Sequence, residues 1–483
     1  MKPDKYQMKA INTKAKNLLV LAGAGSGKTY TIVEKIKKLI KEGLKESEIL
    51  CISFTKEAAN SLQNNLKRQK IDIKVKTFHS LGYQIINKYK EVNIVKQNTL
   101  GNIIEKEIKK EKHLKEITQA KFIEIGKPDK TIRKMQNIII INSKKKQILE
   151  KTIKTFINLY KGNNMNKNDY NSFKKINQKN NIYKEKERHK YFLKLTEKII
   201  KKYENNLKQN KEIDYNDMIN LALKIIKNKK EKFNYKYIII DEYQDISINK
   251  IELIKELQKQ TKSNLMVVGD DYQSIYSFTG SNIDIIVNFK KYFKKSKIVK
   301  LKRTYRNSKE LIKITQKFIC KNPYQIKKNL KSKKKNKYPI IIYYYNNSIK
   351  EIWNEVEKII GKDQTLILGR NNKDNIIPHL KENMKYLTIH KSKGLESEKT
   401  VIINLEDKYD SLPSKIEENE YLKYVKPKTD NFKYSEERRL FYVALTRCRL
   451  YNILLVKKEK PSVFITELIK NNNNIKIIDN IKK

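Results

Sequence analysis

The stretch AGAGSGKT at residues 22–29 sets Gly23, Gly25 and Gly27 beside Lys28 and Thr29, in a chain with 13 glycines among 483 residues. Backbone without side chains can turn several N–H groups onto one anion, and a helix starting there adds its partial positive charge. The loop Ala22, Gly23, Ala24, Gly25, Ser26, Gly27 then cradles phosphates, Lys28 reaches the β- and γ-phosphates, and the Thr29 hydroxyl holds Mg²⁺. Such chemistry needs a strand before the loop and a helix after it. LLVLA at 18–22 reads as a strand buried on both faces, and Ile32, Val33, Ile36, Leu39 and Ile40 mark one apolar helix face.

A phosphate loop alone serves kinases, GTPases, transporter ATPases and motors. YIII at 237–240 is a second buried strand, and it ends in DEYQD. There Asp241 can hold Mg²⁺ and Glu242 can orient and deprotonate an attacking water, which favours hydrolysis over transfer to a hydroxyl. LMVVGD at 265–270 is a third strand, and past its end Gln273 is placed to sense the γ-phosphate or its water. Phe278, near the same edge, can stack on a base.

These segments fall in one order with others: Gln7 in DKYQMKAI, CISFTKEAANSL at 51–62, TFHSLG at 77–82, IDYNDMI at 213–219, GDDYQSIYSFTGS at 269–281, LKRTYRNS at 301–308, TIHKSKGLE at 388–396 and EERRLFYVALTR at 436–447. The set resembles the UvrD/Rep family of superfamily 1A DNA helicases, with GDDYQSIY and RRLFYVALTR the most specific parts. The resemblance implies an ATP- and Mg²⁺-dependent enzyme moving 3′ to 5′ on single-stranded DNA. It assigns adenine to Gln7 and Tyr305, hydrolysis to Lys28, Thr29, Asp241, Glu242 and Gln273, and the γ-phosphate to Arg306 and Arg447. It further assigns nucleotide contact to Glu396, and single-stranded DNA to Phe54, Thr55, Thr77, His79, Phe278, Thr388 and His390. Three positions depart from the family pattern. Thr279 and Tyr30 stand where arginine is usual, and Thr304 stands where asparagine is usual before Tyr305. Loss of the arginine at 279 weakens the expected link between hydrolysis and movement, and Tyr30 alters the floor under the base.

Strand-like runs at 49–54, 237–240, 265–268, 298–301, 340–345, 365–368, 386–389, 401–405 and 451–456 alternate with helix-length segments. That alternation predicts an α/β fold, and the resemblance makes it two RecA-like lobes of parallel sheet flanked by helices. The first lobe is expected over 1–86 and 205–290, a helical insertion over 87–204, and the second lobe over 291–483. Residues 83–212 supply the 130 positions of the Lys-rich insertion, whereas only the 81 residues 307–387 separate Arg306 from Thr388. The large mobile insertion that some relatives carry in the second lobe is therefore expected to be missing. SKKKNK at 332–337 reads as a solvated loop or a phosphate contact.

Lys and Arg number 107 against 53 acidic residues, a net charge of +54, which favours a polyanionic partner. Lys, Ile and Asn are abundant everywhere, including plain tails such as NNNNIKIIDNIKK, so composition bias competes with that reading. Three scattered cysteines without a CxxC pair give no disulfide framework or metal cluster, and no apolar run spans a bilayer. The expected setting is soluble, intracellular and DNA-associated. Expected partners are single-stranded and partly duplex DNA with repair or replication proteins, and no membrane. Two alternatives remain: a translocase that displaces proteins from DNA with little unwinding, and a DNA-binding protein with a vestigial ATPase.

Overall fold

The computed structural model describes residues 2–110, 143–179, 182–228, 232–377, 379–416, 419–426, 430–470 and 472–479; the part of the expected insertion at 111–142 lies outside them. Among these residues the strands before position 302 are β1 (Asn17–Ala22), β2 (Ile49–Ser53), β3 (Lys76–Thr77), β4 (Asn93–Ile94), β5 (Glu212–Ile213), β6 (Tyr237–Ile240), β7 (Asn264–Gly269) and β8 (Ser296–Leu301). Those after it are β9 (Ile340–Tyr345), β10 (Thr365–Gly369), β11 (Met384–Thr388), β12 (Ser397–Ile402), β13 (Cys448–Lys457) and β14 (Ile475–Ile478).

Two six-stranded sheets result, with orders β3-β2-β6-β7-β1-β8 and β11-β10-β12-β13-β9-β14, and every pairing in both is parallel. Parallel sheets need helices on both faces, so their inner strands read as unbroken apolar runs. β1, NLLVLA, is buried along its whole length between β7 and β8, with Leu18 opposite Met266 and Val20 opposite Val268. Each fully buried Leu or Val there contributes about 1.5–3 kcal/mol. The helix Lys28–Lys41 covers this sheet with Ile32, Val33, Ile36 and Leu39. Because all strands point one way, both sheets present their C-terminal ends, where open α/β sheets bind ligands.

Three expectations shift. β8 lies beyond residue 290 yet is the edge strand of the first sheet, registered on β1 from Asn17 opposite Ser296 to Ala22 opposite Leu301, so the boundary at 290 falls too early. The run at 401–405 is paired as β12 over 397–402, because its partner β13 begins opposite Ser397. The C-terminal IKII pairs with β9 as β14: the isoleucines of what looks like a plain tail suit a pleated edge.

The helices Thr99–Ile108, Ser143–Gly162, Lys167–Gln178 and Tyr183–Gln209 surround a core of their own. Tyr421, Leu422, Tyr424 and Val425, from the C-terminal half, complete it, so 419–426 leaves the expected second lobe. There the buried His189 meets Glu420 at 3.1 Å and the Tyr424 hydroxyl at 2.9 Å. Lys161 ties the same bundle to the first lobe through Asp214 at 2.5 Å and Asp217 at 2.7 Å. No helix among the described residues is long and apolar enough to cross a membrane.

Candidate active site and nucleic-acid interface

The turn after β1 carries Gly25 at φ +67° and Gly27 at φ +78°, the left-handed region that favours glycine. A Cβ on Gly25 would come within 2.4 Å of the Arg306 Cβ and 2.8 Å of the Thr304 Oγ1, so the connection between the lobes is seated directly on the loop. The Tyr305 N–H donates to the Gly25 carbonyl at 2.8 Å. Thr304 thereby acquires a reading that sequence alone withheld: its hydroxyl fits over bare glycine and accepts from the Arg306 N–H at 3.3 Å. Ser26 Oγ closes the turn on the Gly23 carbonyl at 2.8 Å.

Lys28, the first residue of its helix, places Nζ 3.0 Å from Glu242 Oε1. Burial alone would lower its pKa, but the carboxylates of Glu242, Asp241 and Asp270 outweigh this and raise it. β6 ends at Ile240; Asp241 comes next, and Glu242 follows at φ 51°, ψ 41°. A non-glycine residue held in this region costs energy. Its carboxylate accepts from the Gln244 amide, and its N–H donates to Asp241 Oδ1 at 2.8 Å. Burial would raise the Glu242 carboxyl, yet Lys28 and Lys393 hold it down at about 2, whereas burial and then the Glu242 charge push Asp241 up to about 7. Glu242 is thus the more acidic member of the pair.

The second lobe closes a cleft of about 580 Å³ over this loop. Arg447, at 1% exposure, donates to the Val443 carbonyl at 3.0 Å, the Leu395 carbonyl at 3.1 Å and Gln273 Oε1 at 3.1 Å. Burial and then the neighbouring Arg306 lower its pKa to about 9. Arg306 donates through Nε to Glu396 Oε2 at 2.6 Å and through Nη1 to the Thr446 carbonyl at 3.1 Å. Ala24, Gly25, Ser26, Gly27, Lys28, Thr29, Glu242 and Gln273 line the cleft together with Arg306, Glu396 and Arg447. At one end stand Gln7, Tyr30 and Tyr305. The Tyr305 hydroxyl donates to Asp4 Oδ2 at 2.8 Å, and Gln7, capping the first helix, donates to the Ser26 carbonyl at 3.3 Å. Ala22 and Gly23 do not line the cleft: Ala22 ends β1, and Gly23 packs under Leu330. Lys334, from the SKKKNK run, does line it.

The expected DNA-facing residues divide. Phe54 stacks on Tyr276 at 6.4 Å and 12°, Tyr276 meets Phe278 edge-on at 6.0 Å, and Phe278 meets His390 at 5.7 Å, making one aromatic row across both lobes. Phe278 is 51% exposed. His79 lies apart, edge-on to the exposed Tyr215 at 5.2 Å. Burial pushes both imidazoles down to about 4, so each is neutral at physiological pH. Thr55 and Thr77 cap helices, accepting from the Ala58 and Ser80 N–H groups at 3.1 Å, while Thr388 is nearly buried and accepts from Lys391. These hydroxyls are oriented by backbone.

Sequence reasoning missed several residues that bind the site together. Lys393 bridges Asp245 Oδ2 at 2.5 Å and the Gln273 carbonyl at 2.8 Å, and lies over the Tyr276 ring. Lys250 sits 4.3 Å from the Phe54 ring centroid. Arg449 holds the other oxygen of Glu396. Gln244, Tyr276 and Lys393 fall inside motifs already singled out, so their position was the available signal; Lys250 gives none in a lysine-rich chain.

Comparison with known proteins places this geometry. Residues 4–294 match the UvrD/REP helicase N-terminal domain, and residues 367–458 match the UvrD-like helicase C-terminal domain. DNA helicase IV of Escherichia coli is 27% identical over 490 residues, 96% of this chain and 69% of that one. ATP-dependent DNA helicase Rep of Buchnera aphidicola subsp. Acyrthosiphon pisum is 29% identical over 422 residues, 81% of this chain and 59% of its own length. ATP-dependent DNA helicase PcrA of Leuconostoc citreum is 26% identical over 336 residues, 67% of this chain and 40% of its own. With both halves matched in order, and the phosphate loop, Glu242 and two arginines around one cleft, the chain belongs to the UvrD/REP helicase family.

Proposed function

We propose that this chain is an ATP-driven DNA helicase that moves 3′ to 5′ on single-stranded DNA, the direction implied by its family. The observation that carries the reading is Arg447: a guanidinium at 1% exposure whose hydrogen bonds go to neutral oxygens, in a cleft it shares with Arg306 and Lys28. Buried charge without a carboxylate partner is costly and suits a site whose ligand brings negative charge. A triphosphate on the loop fits that need, with the base toward Gln7, Tyr30 and Tyr305.

Thr29 and Asp241 would hold Mg²⁺. Their hydroxyl and carboxylate oxygens suit a hard cation, and an adjacent divalent charge reverses the burial that raises Asp241. The ion supplies neutralisation of the phosphate oxygens. Glu242, kept ionised by Lys28, takes a proton from the attacking water, while Arg306 and Arg447 stabilise charge on the transferred phosphoryl group. Because Arg447 comes from the second lobe and Lys28 from the first, occupancy draws the lobes together and hydrolysis releases them. Alternating grip on the strand advances the protein by about one nucleotide per cycle, a step carried over from the family resemblance.

A second reading, a translocase with little unwinding, draws on Thr279, whose hydroxyl turns back to the Tyr276 carbonyl at 2.8 Å, and on the short path from Arg306 to Thr388. Strand displacement measured beside removal of a DNA-bound protein separates the two. Efficient protein removal with negligible strand separation selects the translocase, and repair or replication partners would then be sought on that basis.

A further inference from the structure

After the helix Lys309–Ile319, whose Leu311, Ile314 and Phe318 lie in the second-lobe core, the chain returns to the first lobe as a strap over 322–331. The Ile326 N–H donates to Asp271 Oδ2 at 2.9 Å, and the Tyr272 hydroxyl donates to the Ile326 carbonyl at 2.9 Å. Leu330 packs on Gly23 of the phosphate loop, and Lys331 pairs with the Lys302 carbonyl and the Thr304 N–H. In the middle lies Lys328, a lysine at 0% exposure. Its ammonium is 2.9 Å from Asp270 Oδ1, hydrogen-bonds Asp271 and lies over the Tyr272 ring. Both carboxylates are fully buried, so this one cation offsets two acids.

The other oxygen of Asp270 accepts from Gln273 Nε2 at 2.6 Å, and Gln273 Oε1 accepts from Arg447 at 3.1 Å. Neither contact works with the amide turned over, because an ionised carboxylate only accepts and a guanidinium only donates. We infer that Lys328 is a positioning residue for phosphoryl transfer, acting through Asp270 to fix Gln273 with its carbonyl oxygen, rather than its NH₂, toward the cleft. Gln273 then accepts, from Arg447 and from a hydrogen of the attacking water. The strap that carries Lys328 also carries Leu330 and follows the helix begun just after Arg306, so one segment links phosphate loop, sensor and arginine. This inference rests on the ATPase reading above.

A purely structural lysine would lower stability without favouring one kinetic constant, which gives the test. Steady-state ATP hydrolysis with saturating single-stranded DNA is compared in wild type, Lys328→Met, Gln273→Ala and the double variant, with affinities for a fluorescent ATP analogue and for DNA beside them. If charge imbalance prevents Lys328→Met from folding, Lys328→Met/Asp271→Asn removes one acid with the cation and takes its place. The expected result is a fall in kcat of about 10²-fold, as for misplaced catalytic groups, with KM and both affinities within about twofold. Adding Gln273→Ala to the lysine variant then costs little more, because both act through one amide. Additive losses, or an unchanged kcat with a lowered Tm, overturn the inference alone. A wild type that hydrolyses no ATP, with or without DNA, overturns the ATPase reading and this inference with it.

Discussion

The Nη2 of Arg447 lies 3.1 Å from the Oε1 of Gln273, joining the turn after the helix Ser435–Leu445 of the second lobe to the turn after β7 in the first. The same helix region reaches across twice more, from Arg439 Nε to the Ser274 carbonyl at 2.7 Å and from Glu436 to the Ser277 N–H at 3.1 Å. The 273–277 segment therefore has the cleft at one end, the second lobe along its side and the aromatic row at the other, at Tyr276. On the proposed reading, a shift of Arg447 is passed along this segment to the aromatic row.

Arg447→Lys keeps a positive charge but removes the fork that spans Gln273 and two carbonyls. The rate constant for hydrolysis should fall by about 10³-fold, the value of a finger arginine, with little change in nucleotide affinity. Steady-state kinetics beside binding of a fluorescent analogue checks this. A loss below about tenfold would make Arg447 a packing residue.

Glu242→Gln preserves shape and removes the base. Hydrolysis should drop by about 10²- to 10⁴-fold while ATP binding persists, so the variant traps the bound nucleotide. Retained turnover in rapid-quench measurements would place the base elsewhere.

Phe278→Ala should cost little stability, since the ring is half exposed. Affinity for single-stranded DNA should weaken by about 1–3 kcal/mol, with DNA-independent hydrolysis unchanged. Fluorescence anisotropy on a labelled oligonucleotide reads the first quantity. An unaltered affinity would remove Phe278 from the strand path.

The two imidazoles give a pH dependence. His79 and His390 are lowered from 6.5 to about 4 in the fold, by burial first and then by Lys250 and Arg370 respectively. The unfolded chain therefore binds protons before the folded one does. Stability is complete above about pH 6.5 and declines as pH falls from there toward 4. Thermal unfolding from pH 7.5 to 5 should show a falling Tm, and His79→Gln should flatten that slope. A slope unaffected by the substitution would mean that His79 takes up its proton equally in both states.

Thr279→Arg restores the cation usual in the family. If the translocase reading holds because this position uncouples the sites, base pairs unwound per ATP should rise in the variant at similar hydrolysis rate. No change in that ratio would locate the deficit elsewhere.

The phosphate loop, the acid pair, Gln273 and the two arginines were legible because each motif needs particular atoms at fixed spacing, and glycine has few other reasons to persist in such a chain. Phe54, Phe278 and His390 were legible as separate residues, but their continuity depends on Tyr276, which is defined only by packing. β8 belongs to the first sheet through its choice of neighbour, and SKIVKL looks the same beside either sheet. Lys328 is one lysine in a chain with 107 Lys and Arg residues; only folding shows it buried on two acids. The 419–426 segment was hidden for a similar reason, since Tyr421 and Tyr424 are core residues of a bundle far from them in sequence.

The most direct measurement is ATP hydrolysis by wild type and Lys28→Ala, with and without single-stranded DNA, at several salt concentrations. Strong stimulation by DNA is expected, weakening as salt rises if the strand is held through its phosphates, with loss of hydrolysis in the variant. Hydrolysis indifferent to DNA would contradict the claim that the cleft and the aromatic row act as one machine.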